Sequence, residues 1–435
     1  MKASEYNIFV PFQNKYILYN TMCDSISIVD EELKGKIEND PNDIDMEYVE
    51  KLSQSDIGAL VKDEVDELSV AKCRYYEEKY DTRLSGFTII TTYACNLKCP
   101  YCYEGRGEVL NTSMNKDIMD RTEWFIKSVA ERNNSKAINL FLYGGEPLLN
   151  WKVCKELPRR IDEWCRETGR KLVLGMTTNG VLLNEERIDE LKSHNLRYVQ
   201  ITIDGPKWLH DKKRIFKDGR PTYDIIVDNI KKLKEKGVHF TIRISVDKES
   251  LTCMEETVDE LRSLSLENNF YFGFINDRTQ YCKDWSCLTL DDLWENLPRL
   301  ASMAMKKGVK YYNIRPKHQP HPCGSTSYSS FAIDPLGDVY KCWEFAGQKE
   351  HRVGYLDEKG NLIREYPYYD TMARDPFSLE KCRDCILLPN CGGGCMAEAF
   401  FRYKKYNAPG CAITPELVSK QLEAYVKLRY NEDKV

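Results

Sequence analysis

Three thiols stand within eight residues in Cys95-Asn-Leu-Lys-Cys99-Pro-Tyr-Cys102, directly after the apolar run Gly86-Phe-Thr-Ile-Ile-Thr-Thr-Tyr93. Three thiolates can hold three irons of a cubane [4Fe–4S] cluster and leave the fourth iron open to a ligand that reacts. The competing reading is an incomplete zinc site, which prefers four ligands in a tetrahedral array. No His or fourth Cys sits close enough in sequence to complete one locally.

The chain has 435 residues, enough for two or three domains and a large core. It is 42% hydrophobic and 30% charged, as an ordinary globular protein is. A formal net charge of −5 without a long basic run argues against nucleic-acid binding. No run of 18 apolar residues exists, so no membrane span is expected, and Met1-Lys-Ala-Ser-Glu-Tyr-Asn-Ile-Phe9 lacks the apolar core of a signal peptide. A cytoplasmic protein is expected. In a reducing compartment, 17 cysteines read as metal ligands or redox groups rather than disulfides. Ten fall into spaced motifs; Cys23, Cys73, Cys154, Cys165, Cys253, Cys282 and Cys287 are scattered, and most of these read as small buried apolar residues.

Residues 1–85 read as a separate unit. Tyr6–Phe12, Tyr16–Tyr19 and Ser25–Val29 are expected strands. Asp30 then opens a charged helical stretch, Met46–Ser53 is a second short helix, and the charged residues after Val61 lead into the next domain. From 86 to 310 strands alternate with helices. Phe87–Thr92, Ala137–Tyr143, Leu172–Thr177, Tyr198–Ile203, Phe240–Val246 and Phe270–Phe274 are the expected strands. Trp151–Thr168, Asn184–Ser193, Tyr223–Lys236 and Leu290–Lys307 are among the expected helices. That rhythm argues for an α/β fold with a parallel sheet and right-handed crossovers, whose chemistry sits at the carboxyl ends of the strands. Residues 311–435 are the last unit; from Cys323 onward the chain is rich in Cys and Gly and poor in periodicity, the look of a region folded around inorganic clusters, until a last helix over Pro415–Tyr430.

The C-x3-C-x2-C spacing resembles that of the radical S-adenosylmethionine (radical SAM) enzymes. The resemblance implies a partial (β/α)6 barrel and a cluster on Cys95, Cys99 and Cys102 whose open iron is chelated by S-adenosylmethionine, with Tyr101 near the adenine. Three further segments fall at expected strand ends. Gly144-Gly145-Glu146-Pro147 resembles the family segment that hydrogen-bonds the amino group of S-adenosylmethionine. Its glycines let backbone approach a ligand without a Cβ in the way, and Pro147 fixes the turn. By the same resemblance Thr177 and Asn179 are candidates for ribose or substrate, Asp204 for ribose or nearby backbone, and Arg243 and Ser245 for the carboxylate and ribose hydroxyls.

The C-terminal cysteines form a second motif. Cys323 is followed by thirteen residues, Gly337, four residues and Cys342; then come Cys382-x2-Cys385-x5-Cys391-x3-Cys395 and Cys411. This resembles the SPASM extension, which implies two auxiliary [4Fe–4S] clusters and three in all. Carried over, Cys323, Cys342 and Cys395 ligate the first, and Cys382, Cys385, Cys391 and Cys411 the second. The first set is one ligand short: Cys287 or Cys282 could reach it across a loop, or an open iron binds a substrate thiol.

Together the motifs imply an enzyme that generates a 5′-deoxyadenosyl radical and modifies a peptide. The preferred reading is a maturase that installs a thioether crosslink, of the sactipeptide or ranthipeptide type, in a ribosomally made precursor peptide. A flavodoxin or ferredoxin would donate electrons. The N-terminal unit resembles the winged-helix domain that recognises leader peptides, by pairing a peptide backbone with an exposed sheet edge. The alternatives are a carbon–carbon crosslinking cyclase, an anaerobic sulfatase maturase that makes formylglycine, and a non-catalytic iron–sulfur or zinc scaffold. Against the sulfatase maturase, Cys342 is followed by Trp343 and Glu344 where that subfamily has Asp directly after the cysteine. Glu344, Asp334 and Asp338 are acidic candidates for a general base, and Cys287 is a candidate beside them.

Overall fold

The computed structural model describes residues 1–53, 58–102, 110–267, 269–275, 287–309, 315–316 and 323–429. Cys282 and the segment 317–322 lie outside them.

The amino-terminal unit is a three-stranded antiparallel sheet of β1 (Asn7–Phe12), β2 (Lys15–Asn20) and β3 (Ser25–Val29) with β2 in the centre. Alternation decides its two faces. Ile8, Val10, Phe12, Ile17 and Tyr19 pack on Val418, Leu422 and Val426 of the carboxy-terminal helix Pro415–Arg429. Leu18 and Val29 face the helices Glu31–Asn39 and Met46–Ser53 through Ile37 and Leu52. Asp30 caps the first of these helices by accepting from Leu33 N. A further helix, Glu67–Lys79, runs where the sequence reading has only a charged lead-in. Its Asp66 cap accepts from Ser69 N, and its inner face carries Ala71 and Tyr75.

The centre of the molecule is a ten-stranded sheet. Six parallel strands stand side by side in chain order: β4 (Leu84–Thr92), β5 (Ala137–Gly144), β6 (Lys171–Thr178), β7 (Leu196–Ile203), β8 (Phe240–Val246) and β9 (Phe270–Phe274). Helices Lys116–Arg132, Trp151–Glu167, Glu185–Ser193, Tyr223–Glu235 and Met254–Ser263 fill the crossovers. The strands are built from runs such as Ile-Asn-Leu-Phe-Leu, and Ile138, Leu140 and Leu142 are wholly buried in the main core. Helix starts follow capping chemistry: Asn115 and Asn184 accept from the backbone three residues on.

Beyond β4 the sheet continues. β10 (Ser330–Ile333) pairs parallel with β4, Ser330 opposite Gly86, and β11 (Asp338–Tyr340), β12 (Gly354–Leu356) and β13 (Leu362–Arg364) add antiparallel. The sheet is open, with β9 at one edge and β13 at the other. The carboxy-terminal segment is therefore stitched to the first barrel strand by main-chain bonds, which the reading of the chain from Cys323 onward as aperiodic did not anticipate. No helix among the described residues is long and apolar enough to cross a membrane.

Candidate active site

The carboxyl ends of β4 to β9 surround a cavity of about 490 Å³, ample for a small-molecule ligand. Cys95, Cys99 and Cys102 line it together, with Tyr101, Gly144, Gly145, Thr177, Asn179 and Arg243. Glu146, Pro147, Asp204 and Ser245 do not face the cavity; Glu146, Asp204 and Ser245 each bond a residue that does.

The glycines are needed for a close backbone approach, to protein rather than to open space. Gly144 has φ of 145°, and a Cβ there would stand 2.3 Å from the Thr92 carbonyl oxygen; on Gly145 it would stand 2.6 Å from that of Ala94. The turn is thus pressed against the backbone that leads into Cys95. Glu146 is fully buried beneath it. Its Oε1 accepts from Thr178 Oγ1 (2.8 Å) and Leu148 N (3.1 Å), and its Oε2 from Asn179 N (2.7 Å). Burial raises this carboxyl above its ordinary value, and the donated bonds work against that rise. Pro147 offers its carbonyl to Thr91 Oγ1 (3.0 Å) and Cys154 Sγ (3.0 Å).

Asn179 reaches the first thiol directly. Its Nδ2 donates to Asn96 Oδ1 (2.8 Å) and stands 4.0 Å from Cys95 Sγ, which also takes the Leu97 N–H (3.5 Å). Between Cys99 and Cys102, Tyr101 donates its hydroxyl hydrogen to Asp204 Oδ2. Arg214 binds both, Nη2 to Tyr101 Oη (2.8 Å) and Nε to Asp204 Oδ2 (3.1 Å). Burial works to raise the Asp204 carboxyl, but the adjacent guanidinium prevails and holds it below the ordinary range. Arg214 also lines the cavity and pulls the Cys99 thiol downward. It directly follows the helix Lys207–Lys213, with no motif around it to single it out.

Arg243 lies across Gly273 of the neighbouring strand: a Cβ there would meet Arg243 Nε at 2.4 Å. Its Nη1 donates to Ser245 Oγ at 2.8 Å. Beside it Tyr271 donates to Gln200 Oε1 (3.0 Å), and both line the cavity without having been singled out in sequence. Trp343 and Glu344, on a short turn directly after Cys342, also line the cavity. The Trp343 ring rests 5.2 Å from that of Tyr143 at the end of β5. Asp334 is elsewhere: it is buried, accepts from Tyr93 Oη at 2.9 Å, and burial raises it to about 6. Asp338 pairs with Arg352 at 2.7 Å. Cys287 is half-buried and does not line the cavity.

The donor set fits an iron–sulfur cluster. Burial pushes the Cys95 thiol up to about 12 and Cys99 to about 11, so bare thiolates there need positive charge from what they bind. Among the described residues no three His, Cys, Asp or Glu side chains converge on one point as ligands of a single ion do. The cavity also extends well past the thiols, toward Gly144, Asn179 and Arg243.

The C-terminal thiols fall into two neighbourhoods. Cys342, raised far above its ordinary value by burial, feels Cys323 and Cys395. Cys391, raised to about 12 by burial, feels Cys411, Cys385 and Cys382. Of the six scattered cysteines among the described residues, Cys154, Cys165 and Cys253 are buried, Cys23 and Cys287 are half-buried and Cys73 is exposed. Half of the described ones are therefore buried as expected and half are not.

Residues 89–261 match the model of the Radical SAM superfamily. The serine-type anaerobic sulfatase-maturating enzyme of Klebsiella aerogenes is 24% identical over 323 residues, 70% of this chain and 77% of that enzyme. Among solved structures, anSMEcpe with bound AdoMet superposes with a TM-score of 0.59 at 18% identity, over 79% of this chain and 92% of that one. SuiB of Streptococcus suis bound to S-adenosylmethionine superposes with a TM-score of 0.54 at 17% identity, over 94% and 98%. SuiB bound to the precursor peptide SuiA gives a TM-score of 0.50 at the same identity and coverage.

Proposed function

We propose that this chain, an enzyme with a radical SAM domain, is a peptide maturase that installs a thioether between a cysteine sulfur and a carbon of a ribosomally made precursor peptide. The observation that carries the reading is one cavity lined together by the three thiols, the Gly144–Gly145 turn, Arg243, Trp343 and Glu344.

In this reading Cys95, Cys99 and Cys102 hold a [4Fe–4S] cluster, and S-adenosylmethionine occupies the remaining room. That pair supplies one-electron cleavage of the sulfonium and, through it, removal of a hydrogen atom from an unactivated carbon. The protein's own part is to bind, orient and shield. Asn179 and the Leu97 N–H feed hydrogen bonds to the Cys95 sulfur. Tyr101, braced by Asp204 and Arg214, forms the adenine wall. Glu146 and Pro147 hold the turn that meets the amino group. Arg243 takes the carboxylate, with Ser245 beside it, and Thr177 faces ribose or substrate. Trp343 and Tyr143 give the peptide an apolar wall that excludes water, and Glu344 accepts a proton from it.

The two C-terminal neighbourhoods would hold auxiliary [4Fe–4S] clusters, Cys323, Cys342 and Cys395 for the first and Cys382, Cys385, Cys391 and Cys411 for the second. The first has Cys287 or a substrate thiol as its remaining ligand. Residues 1–85 act as the leader-binding unit, 86–310 as the barrel and 311–435 as the cluster-bearing domain. A flavodoxin or ferredoxin supplies electrons, in a cytoplasm that keeps thiols reduced. The 94% overlap with SuiB, which extends over the amino-terminal unit, favours a precursor peptide. Sulfatase maturation stands as the second reading because the Klebsiella enzyme aligns over 323 residues.

The test is anaerobic reconstitution followed by S-adenosylmethionine and dithionite. The parent should release 5′-deoxyadenosine, and Cys95→Ala, Cys99→Ala and Cys102→Ala should not; unchanged release would refute the assignment. Co-expression with a cysteine-bearing precursor peptide encoded beside this gene then reads the bond. Loss of two hydrogens with the thiol no longer alkylated means a thioether; the same loss with a reactive thiol means a carbon–carbon link; a hydrazide-reactive aldehyde means formylglycine. Glu344→Ala should still release 5′-deoxyadenosine while peptide conversion falls.

A further inference from the structure

Among the described residues the largest side chain with no exposure belongs to a cation, Arg374. Among the described residues its guanidinium is held by carbonyl oxygens alone. Nη1 donates to Tyr406 O and Ala408 O (2.7 Å), and Nη2 to Gly393 O (2.5 Å) and Gly394 O (3.4 Å). The titratable groups that act on it most are Tyr75 and three thiols, Cys382, Cys395 and Cys391; no carboxylate is among these. Two of those thiols belong to one C-terminal neighbourhood and the third to the other. Arg374 therefore stands at the boundary between them.

The backbone is shaped to this end. Gly392, Gly393 and Gly394 have φ of 57°, 84° and 75°, a left-handed run that only glycine adopts without strain. A Cβ on Gly393 would stand 3.4 Å from Arg374 Nη2 and 2.7 Å from Pro376 Cβ. The loop from Cys391 to Cys395, one thiol of each set at its ends, thus wraps the guanidinium with carbonyls. Two buried lysines stand nearby, also held by carbonyls. Lys341 Nζ donates to Ser330 O (2.5 Å) and Ser327 O, and Lys79 Nζ to Met372 O (2.7 Å) and Arg374 O (2.9 Å).

A buried charge without a counter-ion costs several kcal/mol. Carbonyl dipoles solvate a cation but do not neutralise it, and neutral thiols give it nothing to balance. Thiolate-ligated iron–sulfur clusters are net anions, and charge and hydrogen bonding around them set their potentials.

We propose that Arg374 is the internal counter-cation of the two C-terminal cysteine sets and holds the reduction potentials of the clusters they bind upward. The proposal rests on the cluster assignment above. Each reduction brings one electron from an external one-electron donor, and the negative charge it adds lies beside a fixed positive one in a medium of low dielectric. Arg374 is a positioning residue in this role, since it acts through the clusters.

The experiment uses the full chain with Cys95→Ala, Cys99→Ala and Cys102→Ala, so that only C-terminal iron remains. After anaerobic reconstitution, iron and sulfide are counted and a dithionite redox titration is followed by electron paramagnetic resonance. If this parent binds no iron, the cluster assignment falls and the role of Arg374 with it. If it binds iron, Arg374→Gln should make reduction at least tenfold less favourable, a 59 mV drop for a one-electron couple, while Arg374→Lys stays within twofold of the parent. Equal midpoints in the parent and Arg374→Gln, or equal drops in the Gln and Lys variants, overturn the proposal in favour of a plain tie between loops. Should Arg374→Gln not fold, Arg374→Lys decides alone: a midpoint within twofold supports the counter-cation, and a larger drop overturns it.

Discussion

The Glu146 carboxylate and the Thr178 hydroxyl, 32 residues apart in the chain, meet at 2.8 Å beneath the cavity floor. With the Asn179 N–H on the other oxygen, that contact locks the end of β5 to the end of β6. Hydrogen bonds to a buried charged group are worth about 1.5–3 kcal/mol each. Glu146→Gln puts a donor where an acceptor is needed, so it should cost about 2 kcal/mol of stability and weaken S-adenosylmethionine binding as well. Arg243→Met should weaken that binding without the stability loss. Thermal unfolding and equilibrium dialysis on the same samples separate the two; equal stability of Glu146→Gln and the parent would contradict the locking role.

Arg214 neutralises Asp204 and stands close enough to Cys99 to lower its thiol. Arg214→Gln should reduce iron bound by the Cys95–Cys102 triplet and leave C-terminal iron in place. Iron per chain with and without the triplet cysteines measures this. Tyr101→Phe, which leaves Asp204 one donor short, should lower stability by about 1–3 kcal/mol and keep the iron.

Much of the barrel was legible because its strands are long, apolar and evenly spaced. Phe240–Val246 and Phe270–Phe274 match their expected bounds, and the thiol triplet, Gly144–Gly145, Asn179 and Arg243 do share a cavity. The misses have physical causes. Helix Glu67–Lys79 hides its inner face because that face buries Glu67 and Lys79, residues that a polar pattern assigns to solvent. β10 to β13 have only three or four residues each, too few for alternation to register. Gly273 reads as a weak point in a strand, yet it is the gap that Arg243 lies across. Arg214 ends the basic run Lys212-Lys213-Arg214 and Arg374 stands alone; both bond partners far along the chain, Tyr101 for the one and Tyr406 for the other, and spacing carries no trace of that.

Asp334 gives a pH prediction. Burial raises its carboxyl from 3.8 to about 6, so the folded state binds its proton more tightly than the unfolded chain does. The sign follows: this group's contribution is fully present below about pH 4 and is lost as pH rises through about 6. The total is about 3 kcal/mol at 1.36 kcal/mol per pH unit. Asp334→Asn, neutral throughout, should match the parent at pH 5 more closely than at pH 7.5, where it should be the more stable protein. Unfolding midpoints at the two values check this; a difference that does not change with pH would remove Asp334 as the source.

The amino-terminal sheet offers one edge for peptide pairing. On β1, Pro11 has no N–H to give, and that strand packs under helix Pro415–Arg429. On β3, residues 25–28 are half-buried and Ile26 and Ile28 turn inward, so Ser25 and Ser27 are the positions open to change. Deleting residues 1–80 would be a poor test, because Tyr75 packs with Phe377 and Cys382 and Lys79 pins the Arg374 backbone. A charged edge is the cleaner perturbation, since lysine on an edge strand discourages added strands. Ser27→Lys should weaken leader-peptide binding at least tenfold, about 1.4 kcal/mol, with thermal stability unchanged and 5′-deoxyadenosine release without peptide at the parent's level. Fluorescence anisotropy with a labelled leader peptide reads the affinity, and an affinity equal to the parent's would move leader recognition away from β3.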